Sequence, residues 1–498
     1  MRKGLFFWFS VLLAAGIIGG AVFFFGKTPE KIFDATRAIP AIEAESPHLF
    51  LVVEAGQIEP GIPSRMIQKA EEGSRPMLRA IDDLMPLFSF AEKSAAVVAW
   101  NSNEPVFYGC FLLPGEMAAD LKAGKLPVLW LEQSSGLALA PSDREGFLQL
   151  SAGSGKLALS VRMEGDLLMA SLSTDGVEKM FRVFSGSEEG IDTEFSVERS
   201  WPAHLRLFDG HFLAQIASVR GIEAPDAPIG GEIAWSSHGE SGEIAWKIDG
   251  LLEWIPENIR ARLVPNDWKQ QVYLPDPLIA AAGLSVPEGV EELADEDFDI
   301  PGWIMDSGLD RESLAGLLPG PMIVTVGGQS RMFLFSLPGL LAQLPDRGGE
   351  GIKWVEGLWA SKWAGFGLNP KPMEGFPAGG MLTVPLSIVA AAREDLAIAG
   401  VISNSSLGDQ FPVSRVVDLG GQKALMWMYA DFPKMADALE NLAKIGNLAD
   451  RFGVKGSATP EEILDAADEM RSLGRVSMVM HDIGSGRGHW IGAVSPEE

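Results

Sequence analysis

Few residues in this chain have both the type and the spacing to do chemistry, and each set has a plainer explanation beside it. His481 and His489 stand on either side of a glycine-rich turn that also holds Asp482. Two imidazoles and a carboxylate can hold a cation, and a solvated hairpin accounts for the same placing. His48, His204, His211 and His238 are scattered. Asp295-Glu296-Asp297-Phe298-Asp299 alternates carboxylates, the hard-oxygen supply that calcium takes. Its sixth position, where a calcium-binding loop turns on glycine, is Ile300, and its twelfth is Asp306 instead of a bidentate Glu. An exposed acidic loop explains that pattern.

Cys110 is the lone cysteine, so no intrachain disulfide can form. Its neighbours Tyr108, Gly109, Phe111, Leu112 and Leu113 predict a buried thiol, with no basic group beside it to make a thiolate. Gly26-Lys27-Thr28 supplies only the end of a phosphate loop, since Ala21 stands where the earlier glycine is required. Gly153-Ser154-Gly155-Lys156 also lacks that spacing and reads as a hairpin turn. No Gly-x-Ser-x-Gly, Ser-x-x-Lys or His-Glu-x-x-His occurs, so the signatures of a nucleophile elbow, a serine–lysine pair and a helical zinc site are absent. We assign no catalytic, cofactor-binding or metal residue, and expect no cofactor. A carboxylate pair that meets only in the fold stays open, because glycosidase acids have no fixed sequence spacing.

Tryptophans outnumber tyrosines 14 to 3. Trp354, Trp359 and Trp363 recur at short spacing, with Trp100, Trp130, Trp201, Trp268 and Trp427 elsewhere. Indole faces can line a sugar- or lipid-binding cleft, whereas large aromatic residues are mostly core. Core packing is the expectation.

The elements that must position these residues begin with residues 4–26, which carry no charge and are rich in Phe, Leu, Ile and Val. As a helix they would span about 34 Å, enough for a hydrocarbon core of about 30 Å. Arg2 and Lys3 precede the run, which favours a cytosolic N-terminus. A cleaved signal peptide is the competing reading, but its apolar region is normally shorter. We expect residues 1–3 in the cytosol, 4–26 as a single transmembrane anchor, 27–46 as a linker and the rest periplasmic or extracellular. Net charge is −27, a surface that repels phosphate backbones, so nucleic acid is excluded as a partner.

Beyond the linker the same ordered elements recur. Ile39-Pro40-Ala41 before a strand at 49–53 matches Val264-Pro265-Asn266 before one at 272–274. Pro114-Gly115 and Pro338-Gly339 each follow an apolar strand, and each predicts a short helix after it, at 116–121 and 340–344. Asp166 and Asp395 each open a further strand, and hairpins at 231–248 and 475–494 close the copies. Within the first hairpin, period-two alternation sets Trp235 opposite Ile244 and Ile233 opposite Trp246. Helices are expected at 64–72, 79–85, 177–184, 313–317, 434–445 and 460–473, and 276–302 reads as an acidic, proline-rich loop. The resulting fold class is α+β: two tandem, homologous domains on mainly antiparallel sheets, at 47–256 and 257–498, behind the anchor.

On Ile39-Pro40-Ala41 with 49–53, and Val264-Pro265-Asn266-Asp267 with 272–274, the chain resembles bacterial membrane-anchored envelope proteins with a duplicated domain of unknown function. The resemblance implies no site residues. The functional expectation is a non-catalytic, membrane-tethered envelope protein that binds a partner protein or an apolar or glycan ligand. An envelope hydrolase and an assembly scaffold are the alternatives.

Overall fold

The computed structural model describes residues 38–42, 46–54, 57, 75–101, 104–134, 136–153, 157–192, 194–209, 228–238, 241–255, 257–260, 263–286, 320–332, 335–346, 349–360, 369–383, 387–451, 460–471 and 473–492. The expected anchor at 4–26, the helices at 64–72 and 313–317 and the acidic run 295–299 lie outside the described residues. Among the described residues no helix is long and apolar enough to cross a membrane. The chain divides into two compact units between Trp254 and Ile255.

In the first unit ten strands pair antiparallel throughout. They are β1 (His48–Glu54), β2 (Lys93–Asn101), β3 (Glu104–Leu112), β4 (Ala138–Pro141), β5 (Leu148–Ala152), β6 (Leu157–Glu164), β7 (Leu167–Ser171), β8 (Ala203–Phe208), β9 (Gly230–His238) and β10 (Ser241–Asp249). Their spatial order is β4-β5-β6-β7-β3-β2-β1-β8-β9-β10. Successive side chains leave a strand on opposite faces, so β3 and β7 feed two cores. Phe111 and Leu168 pack with α1 (Arg75–Ser89), α2 (Gly115–Lys122) and α3 (Val128–Gln133). Cys110 and Met169 pack on the other side with α4 (Thr174–Phe184), whose first turn is capped by the Ser173 hydroxyl accepting from the Gly176 amide. In the last hairpin Trp235 faces Ile244 and Ile233 faces Trp246, as the alternation predicts.

The second unit holds β11 (Gln271–Tyr273), β12 (Leu278–Val286), β13 (Gly320–Met332), β14 (Phe335–Leu344), β15 (Ala378–Leu382), β16 (Ile388–Arg393), β17 (Leu396–Val401), β18 (Gln410–Pro412), β19 (Met426–Asp431), β20 (Arg475–Met480) and β21 (Ser485–Ile491). Among the described residues β11 pairs with β18 alone. The others run β15-β16-β17-β14-β13-β12-β19-β20-β21, all antiparallel. Strand for strand this repeats β5-β6-β7-β3-β2-β1-β8-β9-β10. Asp166 and Asp395 occupy the same place, in the tight turns that join β6 to β7 and β16 to β17. Their carbonyls accept from Leu113 N and Asp346 N respectively, one residue beyond β3 and two beyond β14. The longer described helices of the unit are α5 (Glu350–Leu358), α6 (Phe432–Arg451) and α7 (Pro460–Arg471).

The α+β expectation is therefore corrected: among the described residues strand far outweighs helix, and the architecture is antiparallel sheet with few helices. Two segments depart from the expectation. Residues 340–344 are strand, not helix, because β14 is hydrogen-bonded on both sides, to β13 and β17. Pro338 has no N–H for a ladder, and it sits opposite the register shift between Gly327 and Ser330, where none is asked of it. The stretch 278–286, expected as loop, is the central strand β12; its alanines give no period, yet it is held between β13 and β19. The counterpart of β1 is thus β12, not the run at 272–274.

Candidate functional site

The face of the second unit's sheet that stands out is apolar and half open. Directly paired residues in an antiparallel sheet share a face. Leu284 pairs with Met322 on one side and Met426 on the other, and Met426 pairs with Met480. Ala282 pairs with Val324 and Met428, and Met428 with Met478. Val326 pairs with Leu340, and Leu340 with Val401. No charged residue interrupts this set across β17, β14, β13, β12, β19 and β20. Leu284, Leu340 and Val401 are 43, 48 and 40% exposed, and the five methionines are half-buried. An apolar surface left open in this way marks an interaction site more often than a packing accident. Methionine, unbranched and polarizable, conforms to ligands of irregular shape.

The opposite face of the same strands is closed. Ala281, Ile323, Trp427 and Val479 pack there with Trp268, Val272 and Val417. Helix α6, which packs against β12, β14, β19 and β20, accordingly crosses the open side. It presents Phe432, Met435, Ala436, Leu439 and Ala443, a stripe at helical spacing that is buried or half-buried. Its start is fixed by Asp431, which is 1% exposed. One carboxylate oxygen accepts from the Lys434 amide at 3.2 Å, and the other lies 3.2 Å from both Lys434 Nζ and Arg475 Nε. Lys434 Nζ also donates to the Leu278 carbonyl. Arg471 on α7 ties the second helix back to Asp437 and Glu440 of α6. The arrangement is a methionine-lined platform crossed, but not sealed, by a helical hairpin.

The residues singled out in the sequence do not meet there. Cys110 is fully buried, and burial pushes its thiol far up, away from thiolate chemistry. Trp130, Trp268, Trp359 and Trp427 are core residues, and Trp354 packs on the core under α5; Trp363 lies outside the described residues, as do His211 and Lys156. At the final turn Asp482 is used internally, accepting from Gly484 N at 2.8 Å and Ser485 Oγ at 2.7 Å. His481 Nδ1 lies 3.1 Å from the Lys423 carbonyl, and His489 pairs across the ladder with Ser477. Among the described residues no three metal-binding side chains converge.

Sequence reasoning missed a polar knot in the first unit. His204, Arg206 and Glu232 share the face of Phe50, because Arg206 pairs with both Phe50 and Glu232. Phe195 stacks on His204 at 4.5 Å and on Phe50 at 5.7 Å, and the Arg206 guanidinium lies 5.0 Å from its ring centre. Burial lowers the pKa of His204, whose Nε2 donates to the Trp201 carbonyl. Burial raises Glu232, but hydrogen bonds from Ser196 and Val197 and the Arg206 charge outweigh it and leave it below its usual range. His204 Nδ1 is buried without a partner among the described residues, while Glu232 and Arg206 hold each other and the 192–197 segment, so the knot reads as a structural clamp on β8 and β9.

Such a fold and face define a class of protein: antiparallel β units of like strand order, one carrying an open apolar platform. No family model matches the chain, and no curated protein matches it. A solved structure described as crystal form III of TP0453 aligns with 44% of this chain and 80% of its own, at 11% identity and a TM-score of 0.25. A likeness that low assigns neither fold nor function.

Proposed function

We propose that this is a non-catalytic, membrane-tethered envelope protein whose second unit takes an acyl chain on the methionine-lined platform. The observation that carries the proposal is the uncharged, half-exposed face formed by Leu284, Met322, Leu340, Val401, Met426, Met428, Met478 and Met480. Covering apolar side chains stabilises a complex by about 25 cal/mol for each Å² removed from water. A flexible hydrocarbon suits a surface whose own side chains can re-pack around it. The uncharged run at residues 4–26 supports the tether, and would hold the platform's owner beside a source of such chains.

The test is a titration of the full-length chain with a fluorescent fatty acid. Saturable binding is expected, and Leu340→Glu or Met428→Glu should weaken it by at least about tenfold, equivalent to about 1.4 kcal/mol. Unaltered binding by both variants would remove the platform from consideration. A partner protein is the competing occupant; it would copurify in fixed ratio with a chain that shows no fatty-acid saturation.

A further inference from the structure

Helix α3 carries its apolar residues outward. Val128, Leu129 and Leu131 are 63, 46 and 49% exposed, while Trp130 between them is fully buried. Trp130 belongs to the core shared with α1 and α2. Immediately after the helix the Ser134 hydroxyl donates to Asp83 on α1, and the other Asp83 oxygen accepts from Gly153 N at 2.7 Å. The helix is thus held from beneath at Trp130 and at its C-terminal end, with three aliphatic side chains exposed. Pro127 opens it, and Lys122 and Lys125 precede it. Buried placing of these three residues would be the ordinary outcome for Val and Leu, so their common exposure on six residues calls for a surface to receive them.

Chain length says which surface. Only residues 27–37 separate the apolar N-terminal run from Ala38, where the described first unit begins. Eleven residues reach at most about 40 Å when fully extended. A unit of this size is itself about that wide, so it is confined to the neighbourhood of the bilayer. The net charge of −27 argues against attraction to anionic lipid, which leaves apolar insertion as the means of contact.

We propose that α3 is a membrane-docking tip, with Val128, Leu129 and Leu131 entering the boundary between headgroups and acyl chains. The confinement argument rests on the reading of residues 4–26 as an anchor; the exposure of α3 does not. An insertion depth of about 5–10 Å is typical of such interfacial elements.

The test uses the full-length chain in vesicles of zwitterionic phosphatidylcholine, with or without bromine on the acyl chains. An environment-sensitive fluorophore is placed on Leu129→Cys or, as a control, on the exposed Glu243→Cys; the buried native thiol does not compete. Severalfold quenching by brominated lipid at the first site, with none at the second, is expected. No quenching at Leu129→Cys, or equal quenching at both sites, overturns the proposal. Carbonate washing of the same vesicles separates the two readings. A chain retained after washing but unquenched keeps its anchor and loses the docking tip. A chain washed away, yet quenched beforehand, keeps the docking tip and loses the anchor.

Discussion

At the residue scale the clearest chemistry is the clamp around His204. The ordinary imidazole pKa is 6.5, and burial lowers it in the fold. Between the two values the unfolded chain holds the proton and the folded chain does not, so stability rises with pH through that window. The contribution is complete above about 6.5 and is lost as pH falls toward the folded value. Glu232, also lowered, adds a second loss at more acidic pH, below its ordinary 4.5. His204→Gln keeps a donor for the Trp201 carbonyl and does not titrate. Chemical denaturation of that variant between pH 5 and about 7.5 should show a flatter stability profile than the parent. An unchanged slope would mean that the buried imidazole is not the titrating group.

At the scale of elements, the closed face of the second sheet depends on one small residue. Gly283 in β12 lies against Trp427 and Trp268, and a Cβ there would overlap the Trp427 Nε1 and the Trp268 ring. The indoles meet edge to face at 5.9 Å, and Trp268 Nε1 donates to the Ala424 carbonyl at 2.8 Å, so neither can move freely. Gly283→Ala should therefore destabilise the chain by about 1–3 kcal/mol, read from its denaturation midpoint. A neutral result would show that the two rings have room to shift.

The same strand shows what the sequence could and could not disclose. The hairpin pairs Trp235 with Ile244 because alternation there is strict, and one solution buries both. Ile279-Ala280-Ala281-Ala282-Gly283 has no such period, since its faces differ in their coverings and not in residue type. Leu340 to Leu344 reads as helical from local pattern for a related reason: the proline before it normally ends a strand, and only the opposing bulge makes it admissible. The platform itself left a trace in Met426-Trp427-Met428 and Met478-Val479-Met480, two period-two runs with apolar residues on both faces. Such runs mark a strand covered on both sides; which side stays open depends on long-range packing that local pattern does not contain.

At the scale of the whole molecule, the two units repeat one strand order with different coverings. Helices lie on the platform-equivalent side of β3 and β7 in the first unit, where α1, α2 and α3 enclose Phe111 and Leu168. The second unit has α5 over β15, β16 and β17, and α6 over the central strands. A shared plan with unequal coverings is how one copy can be closed where the other stays receptive. If residues 4–26 hold the chain in a membrane with its mass outside the cytosol, protease added to intact bacterial spheroplasts should digest both units. Protection there, followed by digestion after lysis, would place them on the cytosolic side.

The central claim is that the methionine platform receives an acyl chain, and site-resolved photo-crosslinking tests it most directly. A fatty acid with a photoactivatable group along its chain is incubated with the full-length protein, and the labelled peptides are identified by mass spectrometry. The account predicts label on Leu284, Leu340, Met428 and Met480 or their immediate neighbours on the same face, suppressed by excess unlabelled fatty acid. Label scattered over both faces of the sheet, or confined to residues 4–26, would contradict it.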